Sequence, residues 1–372
     1  DIRDNTIYLN VRERPIISKI NIEGNKLLES EQIISSLKDI GISQSKPYSK
    51  NLIDKVKQEL IRLYYDNGRY SSSIEVTENK LSDNIIQLTL VIDEGEASTI
   101  KEIKILGNKT YSTRLLKSLI KSGPKYWFEV WSDKDVYNST LLDQDIEAIR
   151  DYYLNRGFAK FRVASKQVNL SSDKEDIYIT ISISEGNLYK FGKTTIYGLE
   201  NFDSKIFTNI VNYNLTPGAS FSRARIEESK RAIEFILGEK GYAFPIVQSN
   251  VALQNDSEFV DITFRVDSKK KSFVRRINIK GNTKTNDEVY RRELRQFESS
   301  TYSVNKVDRS KIRLQRLKFV NQVDVKKIIV DEENGYMDID FVLEETQSGE
   351  FKLGAGYSDS SGAIFNVKVQ QD

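Results

Sequence analysis

Four times along the chain a short stretch of alternating apolar and polar residues runs into a glycine, over residues 17–24, 100–107, 191–198 and 274–281. Period-two alternation predicts a strand with one buried and one wet face, and the glycine supplies the backbone dihedrals of a turn. Asparagine follows in three cases (Asn25, Asn108, Asn282), whereas the third has Leu199. The marker glycines Gly24, Gly107, Gly198 and Gly281 stand 83, 91 and 83 residues apart, the period of a small domain rather than of a solenoid unit.

Between markers the pattern turns helical. Leu52, Val56, Leu60, Leu63 and Tyr64 share one helical face, as do Leu142, Ile146, Ile149 and Tyr153. Ile226, Ile233, Ile236 and Leu237 form the third such face, and Val307, Ile312, Leu314 and Leu317 a looser fourth. Three of these helices run into a glycine and then an aromatic: Gly68 and Tyr70, Gly157 and Phe158, Gly241 and Tyr242. Glycine just past a helix adopts the left-handed C′ conformation without a Cβ clash. The fourth has no glycine at 317–319, which predicts a different cap. Each segment closes on another alternating strand, at 85–92, 177–183, 260–266 and 337–343. The order is β-α-α-β-β, an α+β module with a small sheet covered on one side by two helices.

The ends extend the scheme. Residues 7–14 read as the last strand of a preceding module, so the chain begins inside a repeat. Near the other end, Phe351, Leu353, Ala355 and Tyr357, then Ala363, Phe365, Val367 and Val369, alternate with mostly polar or small residues on either side of a turn at 358–362. A transmembrane barrel hairpin alternates in this way, and so does a soluble hairpin.

Composition removes chemistry more than it adds any. The chain has 56 basic and 54 acidic residues, so net charge makes no case for nucleic acid. With no cysteine and no histidine, disulfides, thiol nucleophiles, histidine bases and their metal sites are excluded within this sequence. No run reaches the length of a membrane helix, and the start does not read as a signal peptide, which leaves a soluble chain or a piece of something larger. Ser118 and Lys121 make a lone Ser-x-x-Lys, Gly354 and Gly356 lack the rest of a nucleotide loop, and Asp338 and Asp340 alternate on the wet face of a strand. No enzyme and no cofactor is expected.

The tandem β-α-α-β-β module, with Gly-Asn after strand one and Gly-aromatic after helix two, resembles the POTRA domain of the Omp85 family. Residues 11–15 (VRERP), 150–159 (RDYYLNRGFA), 241–245 (GYAFP), 291–296 (RRELRQ) and 369–372 (VQQD) carry the resemblance over essentially the whole chain. It implies the end of POTRA 1 at 1–14, POTRA 2 at 15–96, POTRA 3 at 97–186, POTRA 4 at 187–268, POTRA 5 at 269–346 and the first barrel strands at 347–372. It further implies a Gram-negative outer-membrane protein whose periplasmic arm receives unfolded outer-membrane proteins and docks accessory lipoproteins. The nearest alternative is another Omp85-type translocase. A tandem KH-like RNA binder is the alternative of another class, but the linkers at 41–47, 122–131 and 216–221 carry no Gly-x-x-Gly clamp.

Three candidate sites follow. An edge strand can pair with an extended polypeptide of any sequence. The middle strand of the second repeat, read as 158–168 with Ala159, Phe161 and Val163 alternating, is the candidate edge for substrate or partner. In the basic fourth repeat, with 18 Lys and Arg against 13 Asp and Glu over 269–346, Arg291, Arg292, Arg295 and Glu298 read as the end of helix one. A carboxylate there opposes the helix dipole, so another interaction should favour Glu298. By resemblance, Glu298 and Arg291 match positions at which the last POTRA docks a lipoprotein. The third candidate is an aromatic surface of Trp127, Phe128 and Trp131 in the linker of the second repeat.

Overall fold

The structure, a computed structural model, describes residues 14–125, 134–253 and 257–346 in full, and residues 2–3, 6–7, 349–358 and 362–371 by their backbone. The chain divides into two units, one of Asp1–Leu154 with Phe158–Asn187, the other of Asn155–Gly157 with Leu188–Asp372.

In the first unit, β1 (Ile2–Arg3) pairs with β2 (Thr6–Ile7). The strand expected at 7–14 falls mostly outside the described residues. The first repeat then runs β3 (Ile16–Glu23), α1 (Ser30–Asp39), α2 (Lys50–Asp66), β4 (Ser73–Ser82) and β5 (Ile85–Asp93). The second runs β6 (Thr99–Leu106), α3 (Thr113–Ser118), α4 (Ser139–Leu154), β7 (Arg162–Leu170) and β8 (Asp176–Ser184). In both, the last strand lies in the centre, parallel to the first and antiparallel to the middle one, giving the orders β3-β5-β4 and β6-β8-β7. The strand that is middle in sequence is therefore an edge in space.

The second unit repeats the plan with β9 (Lys190–Tyr197), α5 (Ser204–Asn214), α6 (Arg223–Glu239), β10 (Ile246–Leu253) and β11 (Phe259–Asp267), in the order β10-β11-β9. The fourth repeat has β12 (Phe273–Lys280), α7 (Asp287–Arg291), β13 (Ser300–Thr301), α8 (Val304–Gln315), β14 (Val320–Asp331) and β15 (Tyr336–Glu345), in the order β13-β12-β15-β14. Finally β16 (Gly349–Ser358) and β17 (Gly362–Gln371) form an antiparallel hairpin. Which face its side chains take lies outside the described residues. No described helix is long and apolar enough to cross a membrane, which leaves spanning by strands untouched.

Helix faces follow the sequence with two corrections. Leu142, Ile146, Ile149 and Tyr153 are all buried, as expected. In α8, however, Ile312 faces solvent and Ser310 is fully buried between Val307 and Leu314. Ser229 holds the same slot in α6. Each serine donates to the carbonyl four residues back, Ser229 to Arg225 and Ser310 to Lys306, so its hydroxyl enters the core with its bond made. The fourth repeat's second helix ends without a left-handed residue, on Arg316 in the right-handed region, as its missing glycine predicts.

The marker glycines carry the turn after strand one. Gly24, Gly107, Gly198 and Gly281 have φ of 86°, 90°, 89° and 85°. A Cβ at any of them would lie 1.9–2.2 Å from the carbonyl oxygen of Ile92, Ile183, Val266 or Leu343 on the neighbouring central strand. Both the dihedral and the close backbone approach demand glycine. Beyond it a carboxylate from the end of the central strand reaches across. Glu94 accepts the N–H groups of Lys26 and Leu27 at 2.6 and 2.8 Å, and Glu185 those of Lys109 and Thr110 at 2.9 and 3.0 Å. Glu345 accepts those of Thr283, Lys284 and Thr285 at 2.8–3.1 Å. A tyrosine hydroxyl completes each clamp, from Tyr64, Tyr153 and Tyr290 respectively. The third repeat lacks the device. Ser268 stands where the glutamate would; buried Leu199, and Phe202 packed on Phe207 and Tyr242, line the turn, and Glu200 accepts the Gly198 N–H at 3.1 Å from within it.

Within each unit the joint between repeats uses the helix-ending glycine. In the first, Gly68 O accepts from Ser98 N at 2.8 Å, and Asn138 Nδ2 donates to Asn67 Oδ1 at 2.8 Å. In the second, Gly241 O accepts from Ser272 N at 2.7 Å. There Lys327 Nζ donates to Ala243 O at 2.7 Å and lies 5.4 Å from the ring centroids of both Phe244 and Tyr302. Glu239 accepts from Ser303 Oγ and Asn305 N, capping α8 from the preceding repeat.

Burial works against the charge on Glu345, but the Tyr290 hydroxyl and the donors at 283–285 outweigh it and hold the carboxyl at about 2, below its ordinary 4.5. A depressed carboxyl stabilises the fold above its unfolded pKa, and that contribution is lost as pH falls from about 4.5 toward about 2. Glu345→Gln should therefore cost about 1–2 kcal/mol at neutral pH and flatten the loss of stability in that acid window, as read by denaturant unfolding across pH.

Candidate functional site

The fourth-repeat cluster straddles a helix end: Arg291 is the last residue of α7 and Arg292 caps it, whereas Arg295 and Glu298 lie beyond. Helix α7 stops at Arg291, and Glu298 lies seven residues beyond it in a turn, so the dipole argument from sequence does not apply there. What favours Glu298 is the backbone. The Ile277 N–H of β12 donates to Glu298 Oε1 at 2.8 Å, and Arg291 Nη1 stands 3.5 Å from the same oxygen. Arg291 Nη2 in turn donates to Ile277 O at 3.0 Å, and its Nε is held by Asp287. The Asp287 bond chiefly raises the guanidinium above its ordinary pKa, against burial and with help from Glu298.

Arg291 and Glu298 are thus brought together, and the other two arginines are not part of the pair. Arg292 lies 3.8 Å from Glu293 and is otherwise solvated, while Arg295 donates to the carbonyls of Arg292 and Leu294. Two neighbours that the sequence does not single out build the turn around Glu298. Gln296 is fully buried, and its amide donates to Ser300 Oγ and Thr301 O while its oxygen accepts from Ser303 N, which fixes the turn carrying Glu298. Phe297, immediately before the carboxylate, is 61% exposed. A glutamine inside a polar run gives no sign of burial, but a phenylalanine in a turn is a visible signal. Here an exposed ring and a half-exposed carboxylate share one rigid turn.

In the second repeat the edge strand begins at Arg162, later than the sequence suggests. Phe161 precedes it and is buried, stacked on Tyr153 at 4.4 Å, and Ala159 lies in the turn before it. Only Val163 of the three lies on β7, half-buried against the core. The alternation that seemed to mark an edge is in part the Gly-aromatic cap packing inward. The edge itself is present, since β7 pairs with β8 alone among the described residues. Ser171 N donates to Asp176 O, and alternation along an antiparallel ladder then turns the N–H groups of Leu170, Val168 and Lys166 away from β8. The aromatic surface of Trp127, Phe128 and Trp131 lies outside the described residues.

Asp338 and Asp340 are not on a wet face. They are 8% and 2% exposed, with Arg275 bidentate on Asp338 at 2.7 and 3.0 Å, and Lys280 and Asn278 on Asp340 at 2.6 and 2.8 Å. The Arg275 bond chiefly holds Asp338 below the usual carboxylate range. Burial opposes the charge on Asp340, and its partners outweigh it. This is a cross-strand ion-pair layer on the second face of the sheet. No group of three or more metal-ligating side chains occurs among the described residues.

Comparison with known proteins agrees with this geometry. The POTRA family model, described as surface antigen variable number repeat, matches residues 15–95, 98–186, 189–269 and 272–346. The outer membrane protein assembly factor BamA of Buchnera aphidicola is 30% identical over 368 residues, covering 99% of this chain and 59% of that protein. BamA of Neisseria meningitidis is also 30% identical, covering 99% of this chain and 46% of that protein. The chain thus spans about half the length of these curated relatives. The crystal structure of Haemophilus influenzae BamA POTRA3-5 aligns with a TM-score of 0.59 at 28% identity, covering 67% of this chain and 96% of that one.

Replacing Gln296 with Ala should destabilise the fourth repeat by about 1–3 kcal/mol, because Ser303 N–H loses its acceptor inside the turn. Thermal unfolding of the variant measures the loss.

Proposed function

The chain belongs to the POTRA repeat family, and from that premise we propose that it is the periplasmic arm of a BamA-type assembly factor in the Gram-negative outer membrane. On this reading residues 1–14 end POTRA 1, the four described repeats are POTRA 2 to 5, and β16 and β17 begin the barrel. The arm acts without catalysis: it receives unfolded outer-membrane polypeptides by strand addition, and it docks accessory Bam lipoproteins, a BamD-like one at the last repeat. Folding of substrate in the bilayer supplies the drive, since strands there must satisfy every backbone group by closing into a barrel.

The observation that carries this reading is the edge of β7, which pairs on one side only among the described residues. Its outward N–H groups at Lys166, Val168 and Leu170 form a row that accepts any extended chain, because backbone pairing ignores side-chain identity. The turn of Phe297 and Glu298 supports lipoprotein docking, an exposed ring beside a carboxylate being a fit for an apolar residue flanked by a cation.

Lys166→Pro removes one outward N–H and leaves the pairing with β8 in place. Cross-linking of an unfolded outer-membrane protein to β7 should fall several-fold, with the thermal transition of the second repeat retained. Unchanged cross-linking would reject strand addition at this edge. Glu298→Lys should abolish co-purification of the lipoprotein with the full-length protein, and capture at the normal level would remove the docking assignment.

A further inference from the structure

In every repeat the linker between the helices pairs with the start of strand one and leaves the rest of that strand's outer edge to be dealt with. In the first repeat Ser45 N donates to Ile17 O, in the third Gly218 N to Phe191 O, and in the fourth Ser299 N to Val274 O. All three donors have positive φ, of 68°, 82° and 57°. The residues just before them are therefore equivalent: Gln44, Pro217 and Glu298. Only the fourth repeat of these three has a carboxylate there, and its counterpart in the second repeat lies outside the described residues.

The consequence falls on the next outward peptide of the strand. Beyond Val274, β13 no longer pairs with β12, and β15 lies on the opposite side. The N–H and C=O of Ile277 both point to this open side, since one meets Glu298 at 2.8 Å and the other Arg291 at 3.0 Å. An added strand would offer the same two groups, an oxygen to the N–H and an N–H donor to the carbonyl. The Arg291–Glu298 ion pair at 3.5 Å holds the two together as one unit, and Asp287 anchors the guanidinium from behind.

We propose that Arg291 and Glu298 act as a side-chain surrogate for a missing strand, closing the β12 edge of the fourth repeat, and that beneath them lies a latent strand-addition site for an extended polypeptide. An edge left bare is a pairing hazard, and charged side chains placed on it are a recognised protection. Here the protection is a removable pair of side chains on a turn, not a covering element. The edge opens only when both side chains are displaced. This inference rests on the repeat geometry and not on the lipoprotein-docking reading, so either can fail alone.

The test compares the full-length protein with the double variant Arg291→Ala/Glu298→Ala and with Glu298→Gln, which keeps an oxygen acceptor. The probe is a synthetic peptide of alternating valine and threonine carrying a benzophenone. The double variant should exchange the Ile277 amide about tenfold faster or more and should cross-link the peptide along β12, with exchange at Ile339 in the sheet interior unchanged. Wild type and Glu298→Gln should capture little. Equal capture by wild type would show that the edge is not closed. No capture by a double variant whose Ile277 amide has been freed would show that it is not a latent pairing site. Loss of fold in the double variant would make the pair a structural support and overturn its role as a removable cap.

Discussion

The fold depends on closing one tight turn, at which strand one leaves the sheet and passes within backbone contact of the central strand. The marker glycine is forced there twice over, by a positive φ and by a carbonyl within about 2 Å of any Cβ. Such a turn strands two or three N–H groups just after the glycine. In three repeats a glutamate at the end of the central strand collects them, and a buried tyrosine from the helix layer ties that glutamate to the core. Sheet, turn and helix layer are joined at one carboxylate. Once the first and central strands are fixed in this way, the remaining strand is left on the outside.

That arrangement leaves each module a strand paired on one side only among the described residues, the middle one in sequence, while the centre of each sheet is parallel-paired and buried. The repeats then manage their edges differently. On β7 alternate N–H groups of the backbone point outward, whereas on β12 an arginine and a glutamate occupy the groups that a neighbour would use. The third repeat, with Leu199 and Phe202 packed in the turn and Glu200 within it on the Gly198 N–H, replaces the carboxylate from the central strand by a local solution.

Much of this was legible in the sequence. Alternation, helical faces and the Gly-aromatic caps gave the element order, because each is a local pattern set by backbone geometry. What stayed hidden was relational. Glu94 and Glu345 look like ordinary surface acids until their turn is brought across the sheet, some 60 to 68 residues away in sequence. Phe161 alternates like a strand residue but stacks on Tyr153 in the core. Ser310 reads as a break in the apolar face of α8 and is buried by bonding its own helix. In sequence Glu298 stands out as a charge opposed to a helix dipole, but its partner is a peptide group of a neighbouring strand. Charge patterns cannot show such a bond, because it joins segments that are apart in sequence.

The central claim, that the free edge of β7 is where an extended substrate pairs, is tested most directly by amide exchange resolved by residue along Arg162–Leu170, with and without an unfolded outer-membrane protein. The outward amides of Lys166, Val168 and Leu170 should become protected on binding, while Gln167 and Asn169, already paired with β8, should not change. Protection that ignores this alternation, or none at all under conditions where substrate binds the chain, would contradict the account.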